Sequence, residues 1–241
     1  MVAFVERPSP SHDARLETEP IDILLLHYTG MPTAAAALER MCDPAARVSA
    51  HYCIDEDGTV YRLVPEERRA WHAGVSSWAG TTAVNGRSIG IELVNPGHEF
   101  GYRAYPKPQM QALIALAAEL CARHRIPPAR ILGHSDVAPL RKRDPGELFD
   151  WPGLAAAGIG LWPEDAADPV ELPPIAEVQR RLRDYGYDVP VNGAPDRQTR
   201  AVIAAFQRHF RPEVVTGLID GGTVARLEAL LALLDGPVAR S

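Results

Sequence analysis

At 241 residues, with 46% hydrophobic and 23% charged residues, the chain has ordinary globular composition and room for one mid-sized domain and one small one. A formal net charge of −6 excludes the basic face that draws a phosphate backbone, so no nucleic-acid partner is expected. No apolar run approaches the ~20 residues of a membrane span. The apolar start, Val2 to Val5, is short and is followed by no small-residue cleavage pattern, so no export signal is read and a cytoplasmic location is expected. Cys42, Cys53 and Cys121 have neither metal-type nor framework spacing and read as reduced, buried thiols.

In chain order, Ile21 to Leu26 is a short, mostly apolar run that reads as a buried central strand ending at His27. An alanine-rich helix follows from Thr33, its cap, to Met41. His51 to Ile54 and Thr59 to Val64 form a hairpin, because the intervening Asp57-Gly58 supplies the positive φ that such a turn requires. Ser88 to Val94 alternates and is rich in β-branched residues, which predicts another strand. Pro108 to Arg125 is a long amphipathic helix stopped by Pro127-Pro128, and Ile131-Leu132 then leads as a strand into Gly133-His134. These elements predict an α/β domain with a central mixed sheet flanked by helices, over residues 1–162.

A Pro-rich, acidic linker is expected at 163–174, where Pro163, Pro169, Pro173 and Pro174 cluster. Beyond it, residues 175–241 read as a small three-helix domain, with helices over Ile175 to Tyr185, Asp196 to Phe210 and Asp220 to Leu234. The two later helices share one start signal, Gly193, Asp196, Thr199 recurring as Gly217, Asp220, Thr223. In each copy the Asp can cap the helix and the Gly can bend the approaching chain.

The candidate chemistry rests on His27, His134 and Asp144. A catalytic zinc site takes three imidazole or carboxylate ligands and leaves a fourth position open. Strand ends in an α/β sheet converge on one edge, so ligands distant in sequence can meet there. Glu92 is a carboxylate inside an otherwise apolar strand, where burial is costly unless the group is paired or functional; it is the candidate general base. Lys142 lies two residues before Asp144, so an ammonium at that spacing could stabilise an oxyanion near the same centre. It is one of only two lysines, with Lys107. Taken singly, each of these residues also has an ordinary reading: a satisfied histidine, a turn aspartate, an edge-strand glutamate, a solvated basic cluster.

Five stretches in order, LLLHYTG around His27, SAHYCIDEDGTVYRLV, AWHAG from Ala70 to Gly74, SIGIEL from Ser88, and GHSDVAPLRKRDPG from Gly133 to Gly146, resemble the N-acetylmuramoyl-L-alanine amidase family of the "amidase 2" type. The match covers roughly residues 15 to 160. The resemblance implies zinc at His27, His134 and Asp144, Glu92 as catalytic acid and base, and Lys142 on the oxyanion. His51, Trp71 and His72 are expected to line the cleft and bind substrate. The segment NPGHEFGYRAYPKP after Glu92 has no confident counterpart in the family pattern. From Val178 onward the chain resembles the helical peptidoglycan-binding domain type 1, with Leu182, Val202, Phe206 and Leu227 building its core; such a module would raise the local concentration of substrate.

The expected function is zinc-dependent hydrolysis of the amide between N-acetylmuramic acid, or its 1,6-anhydro form, and L-alanine in peptidoglycan or muropeptides. Two other functions use the same residues: a non-catalytic peptidoglycan sensor, and a zinc peptidase acting within the stem peptide. A wall-binding module also suits an enzyme of the periplasm or cell envelope, the alternative to the cytoplasm.

Overall fold

The computed structural model of the chain describes residues 2–16 and 18–235; positions 236–241 of the C-terminal segment assigned above lie outside the described residues. In chain order the elements are β1 (Val5–Glu6), β2 (His12–Ala14), β3 (Ile23–Tyr28), α1 (Ala34–Cys42), β4 (Tyr52–Ile54), β5 (Val60–Arg62), β6 (Arg68–Ala70), α2 (Val84–Arg87), β7 (Ser88–Leu93), α3 (Gly97–Phe100), α4 (Lys107–His124), β8 (Ile131–Gly133), α5 (His134–Val137), α6 (Trp151–Ala156), α7 (Ile175–Tyr185), α8 (Arg197–Phe210) and α9 (Gly221–Asp235). Six strands form one mixed sheet in the order β1-β5-β4-β7-β3-β8, and β2 pairs with β6 in a separate ribbon. β3 is parallel to both β7 and β8, so it is central and its apolar run is fully buried.

Alternation along the two central strands sorts their side chains to opposite faces. Leu24 and Leu26 of β3, with Ile89, Ile91 and Leu93 of β7, pack with Leu113, Leu116 and Leu120 of α4. Ile23 and Leu25 instead join a cluster with Val178, Leu182, Val202 and Phe206 of α7 and α8. A sheet buried on both faces needs such cover, and here the C-terminal helices supply it for one face. His27 has the parity of Ile23 and Leu25, and Glu92 that of Ser88 and Gly90, so both project on the helix-module face at the carboxyl ends of their strands.

Local chemistry accounts for the predicted boundaries. Thr33 caps α1 by accepting from the Ala36 amide at 3.2 Å, and Gly58 turns the β4–β5 hairpin at φ 91°. The duplicated signal in the module has a partner that the helical pattern did not single out, a buried glutamine before each copy. Gln179 accepts from the Gly193 amide at 2.8 Å and donates to Thr199 at 2.8 Å. Gln207 does the same with the Gly217 amide at 2.8 Å and Thr223 at 3.0 Å. Asp196 and Asp220 cap α8 and α9 through the Thr199 and Thr223 amides, each at 2.8 Å.

Segment 163–174 contains no helix or strand, yet the module is packed against the sheet. Trp78, which is fully buried, stands edge-on to Tyr185 and Tyr187 at 5.6 and 5.0 Å between ring centroids. The Ala79 amide donates to the Gly186 carbonyl at 2.8 Å, and a Cβ on Gly186 would lie 2.6 Å from the Trp78 ring. Truncating a buried tryptophan removes its apolar contacts and leaves a cavity, so Trp78→Ala should cost about 3–5 kcal/mol. Urea unfolding of the full chain checks this; a loss below about 1 kcal/mol would mean that the interface does not depend on that ring.

Candidate metal centre

Parallel pairing places His27 and Glu92 directly opposite one another on β3 and β7. His134 begins the short helix α5 immediately after β8, rather than ending the strand as the sequence suggests. Asp144 is brought back by the loop that follows, whose main chain is tied to α5 by the Ser135 amide on the Asp144 carbonyl at 2.9 Å. All three sequence-selected ligands are buried. Among the described residues, they are the group of histidine, cysteine and carboxylate side chains whose ligand atoms converge closely enough to hold one metal ion.

The three facing atoms are His27 Nδ1, His134 Nδ1 and Asp144 Oδ2, separated by 2.9, 3.2 and 3.0 Å. Ligands about 2.05 Å from a tetrahedral ion lie about 3.3 Å apart, so the spacing matches a shared divalent cation. The tautomers agree. His134 Nε2 lies 3.0 Å from the Ala73 carbonyl, which can only accept, so that nitrogen carries the proton and Nδ1 presents its lone pair. His27 Nε2 contacts His72 Nδ1 at 3.0 Å, which orients the first ligand in the same sense.

Burial, reinforced by the neighbouring His134, lowers the His27 pKa to about 4, which keeps the ring in the neutral form that a metal requires. Burial pushes the Asp144 carboxyl up, but His134 and His27 outweigh it and hold it well below its ordinary value.

Glu92 lies in a central strand and reaches the cleft beside this centre. Its Oε2 is buried and has no hydrogen-bond partner among the described residues. Burial first, and then the charge of Asp144, raise its pKa well above the usual carboxylate range, while Lys142 pulls the other way. A carboxyl tuned upward is suited to taking and returning a proton near neutrality. The cleft, of about 200 Å³, is lined by Tyr28, Thr29, Trp71, Glu92, Lys142 and Asp144 among others. It continues into a wider recess of about 630 Å³ that also carries Arg40, Arg141 and Arg143.

The remaining sequence candidates separate. Trp71 and Lys142 line the cleft. His72 reaches its floor, but the ring is committed to His27 and, at 3.3 Å, to the Ser88 hydroxyl. Gly90 makes room for it: a Cβ there would meet the His72 ring at 2.5 Å. His51 does not line the cleft. It is fully buried, with Nδ1 accepting from the Gly90 amide at 2.9 Å and Nε2 beside Arg15 and the Arg68 carbonyl. A histidine motif in sequence does not distinguish a ring in a cleft from a ring under it.

The segment after Glu92 that matched no family motif holds the loop that carries Asp144. Tyr102 and Tyr105 both donate to the Pro145 carbonyl, at 2.8 and 2.7 Å, next to Asp144. A Cβ on Gly146, at φ 88°, would strike the Tyr102 hydroxyl. His98 joins Tyr28 at 2.9 Å to Glu147 at 3.3 Å, linking β3 to the same loop. Isolated tyrosines carry no spacing signal, so their role is not legible along the chain.

A family profile described as N-acetylmuramoyl-L-alanine amidase matches residues 17–147, more than half of the chain. The chain belongs to the N-acetylmuramoyl-L-alanine amidase family. A second profile, described as a putative peptidoglycan binding domain, matches residues 171–227. The chain is 38% identical to N-acetylmuramoyl-L-alanine amidase AmiD of Escherichia coli (strain K12), over 95% of this chain and 90% of that protein. A structure of E. coli AmiD with anhydro-N-acetylmuramic acid-L-Ala-D-gamma-Glu-L-Lys superposes with TM-score 0.79 at 38% identity, covering 91% of this chain and 92% of that one. AMPDH3 of Pseudomonas aeruginosa in complex with anhydromuramic pentapeptide superposes with TM-score 0.82 at 35% identity, covering 97% and 99%.

Burial, with Arg15 adding to it, lowers the His51 pKa from 6.5 to about 3, so the folded chain binds fewer protons than the unfolded one across that interval. The contribution is complete above pH 6.5 and is lost as pH falls toward 3, at up to about 1.4 kcal/mol per pH unit. His51→Gln should therefore flatten the acid limb of stability against pH by one proton. Chemical unfolding from pH 7 to 4 measures this, and an unchanged slope would refute the assignment.

Proposed function

We propose that this chain hydrolyses the amide joining the lactyl group of N-acetylmuramic acid, or of its 1,6-anhydro form, to the L-alanine of a peptidoglycan stem peptide, using zinc held by His27, His134 and Asp144. The single observation that carries the reading is the convergence of three buried ligand atoms with Glu92 in register beside them. The donor set fits zinc, with two imidazoles, one carboxylate and backbone or imidazole partners behind both rings. When bound, the ion supplies Lewis acidity toward the amide carbonyl and toward water.

The chain's own residues then have distinct tasks. Glu92 takes the proton from the attacking water and delivers it to the alanine nitrogen as the C–N bond breaks, giving a lactyl carboxylate and a free amine. Lys142, at the mouth of the cleft, faces the negative charge that develops on the carbonyl oxygen. Trp71 offers an apolar face to the sugar or the peptide. Arg40, Arg141 and Arg143 in the adjoining recess suit a stem peptide rich in carboxylates. The muropeptides held by AmiD and AMPDH3 support that substrate class. The division into a catalytic domain over 1–162, a linker at 163–174 and a helical peptidoglycan-binding domain from 175 onward belongs to the same proposal. Among the described residues no helix is long and apolar enough to cross a membrane.

Glu92→Gln should retain one zinc per chain and lose about 10²–10⁴-fold in turnover of a soluble anhydromuropeptide, because proton transfer is removed while the ligands stay. Mass spectrometry of the wild-type product should give the alanine-terminated peptide and the free muramic acid. L-alanine left on the sugar would point to a peptidase, and zinc-loaded wild-type protein without turnover would point to a sensor. Removing the metal with a chelator should abolish turnover, and added zinc should restore it; turnover that survives a measured loss of metal would sink the metal-dependent mechanism.

A further inference from the structure

We infer that the C-terminal helical module is a brace for the metal ligand His134, with Tyr187 and His209 acting as positioning residues through Asp136. The connection is short and buried. Asp136 lies in α5, two residues after His134, and is 1% exposed. Its Oδ2 accepts from the Gly133 amide at 2.7 Å, the bond that closes the turn on which His134 stands. The same oxygen accepts from His209 Nδ1 at 2.7 Å, and Oδ1 accepts from the Tyr187 hydroxyl at 2.6 Å.

Among the described residues, two of the three hydrogen-bond donors to this buried carboxylate therefore come from the helical module, and the third is the backbone next to His134. A buried carboxylate without enough donors rearranges or draws water. Here the rearrangement would release the Gly133 amide, and with it the position of the His134 ring. Both donors are themselves held. His209 stacks on Trp151 at 3.6 Å and on Phe210 at 3.8 Å, and Tyr187 stands edge-on to Trp78 and Phe206. Trp151 also approaches Gly133, where a Cβ would lie 3.4 Å from its ring, so the ligand turn is confined on both sides. Tethering to the wall requires none of these contacts.

The inference rests on the metal site proposed above, and two readouts keep the two apart. Tyr187→Phe and His209→Phe each delete one donor and keep an aromatic ring. In the full chain each should weaken zinc binding, measured by chelator competition, by about tenfold. In the zinc-free protein each should speed amide hydrogen exchange at Gly133 by at least about tenfold, since that amide loses its fixed acceptor. Tyr185→Leu opens the same interface without removing a donor to Asp136; it should lower the melting temperature while leaving zinc affinity and Gly133 exchange within twofold of wild type. Unchanged Gly133 exchange in both phenylalanine variants, or an equal loss of zinc affinity in Tyr185→Leu, overturns the brace. Wild-type protein that takes up no zinc while Gly133 still responds would overturn the metal site and support the brace.

Discussion

The register of two parallel strands is the constraint from which the rest of the site follows. β3 and β7 pair so that His27 faces Glu92, and alternation sends both away from the α4 core to the opposite face of the sheet. A slip of one residue in β3 would send His27 to the α4 side and turn Leu24 and Leu26 to the other face. Register is held because both faces are covered: Leu113, Leu116 and Leu120 press on one side, and Val178, Leu182 and Phe206 on the other.

Given that frame, the electrostatics of the centre form a coupled set. Burial strips solvent from His27, Glu92 and Asp144 alike, but the consequences differ with their neighbours. His27 is kept neutral, Asp144 is held well below its ordinary pKa although buried, and Glu92 is driven toward its protonated form. One carboxylate is thus suited to hold a cation and the other to carry a proton, though both stand in one small cleft. The outer partners, Ala73 through its carbonyl and His72 through its ring, aim two Nδ1 lone pairs at one point. Their cost is conformational, and Gly90 meets part of it by leaving room for the His72 ring.

The helical module has two physical roles in this chain. Its duplicated glutamine, glycine, aspartate and threonine pattern builds its own core and caps. Its outward face completes the apolar cover of the sheet and supplies donors to Asp136. Covering the sheet and donating to a buried carboxylate are permanent structural duties, whereas holding substrate would be intermittent, so the wall binding and the ligand positioning proposed above are compatible in one small unit.

Hydrophobic periodicity, caps and turn glycines are local, and for that reason the main strands and helices, the Thr33, Asp196 and Asp220 caps, and the candidate residues His27, Glu92, Lys142, His134 and Asp144 were legible along the chain. Three short strands, β1, β2 and β6, were not, because two or three residues carry too little period to register against their neighbours. The roles of His51 and His72 were beyond reach for a different reason: whether an imidazole lines a cleft or supports it depends on what packs over it, and that is a property of distant segments. The same holds for Tyr102 and Tyr105, whose partner Pro145 lies 43 and 40 residues away, and for Asp136, whose side-chain partners Tyr187 and His209 lie 51 and 73 residues away. Local chemistry decided which elements and ligands exist. Only long-range packing decided which buried polar groups face each other, because a side chain's partner is chosen by the fold and not by its neighbours in sequence.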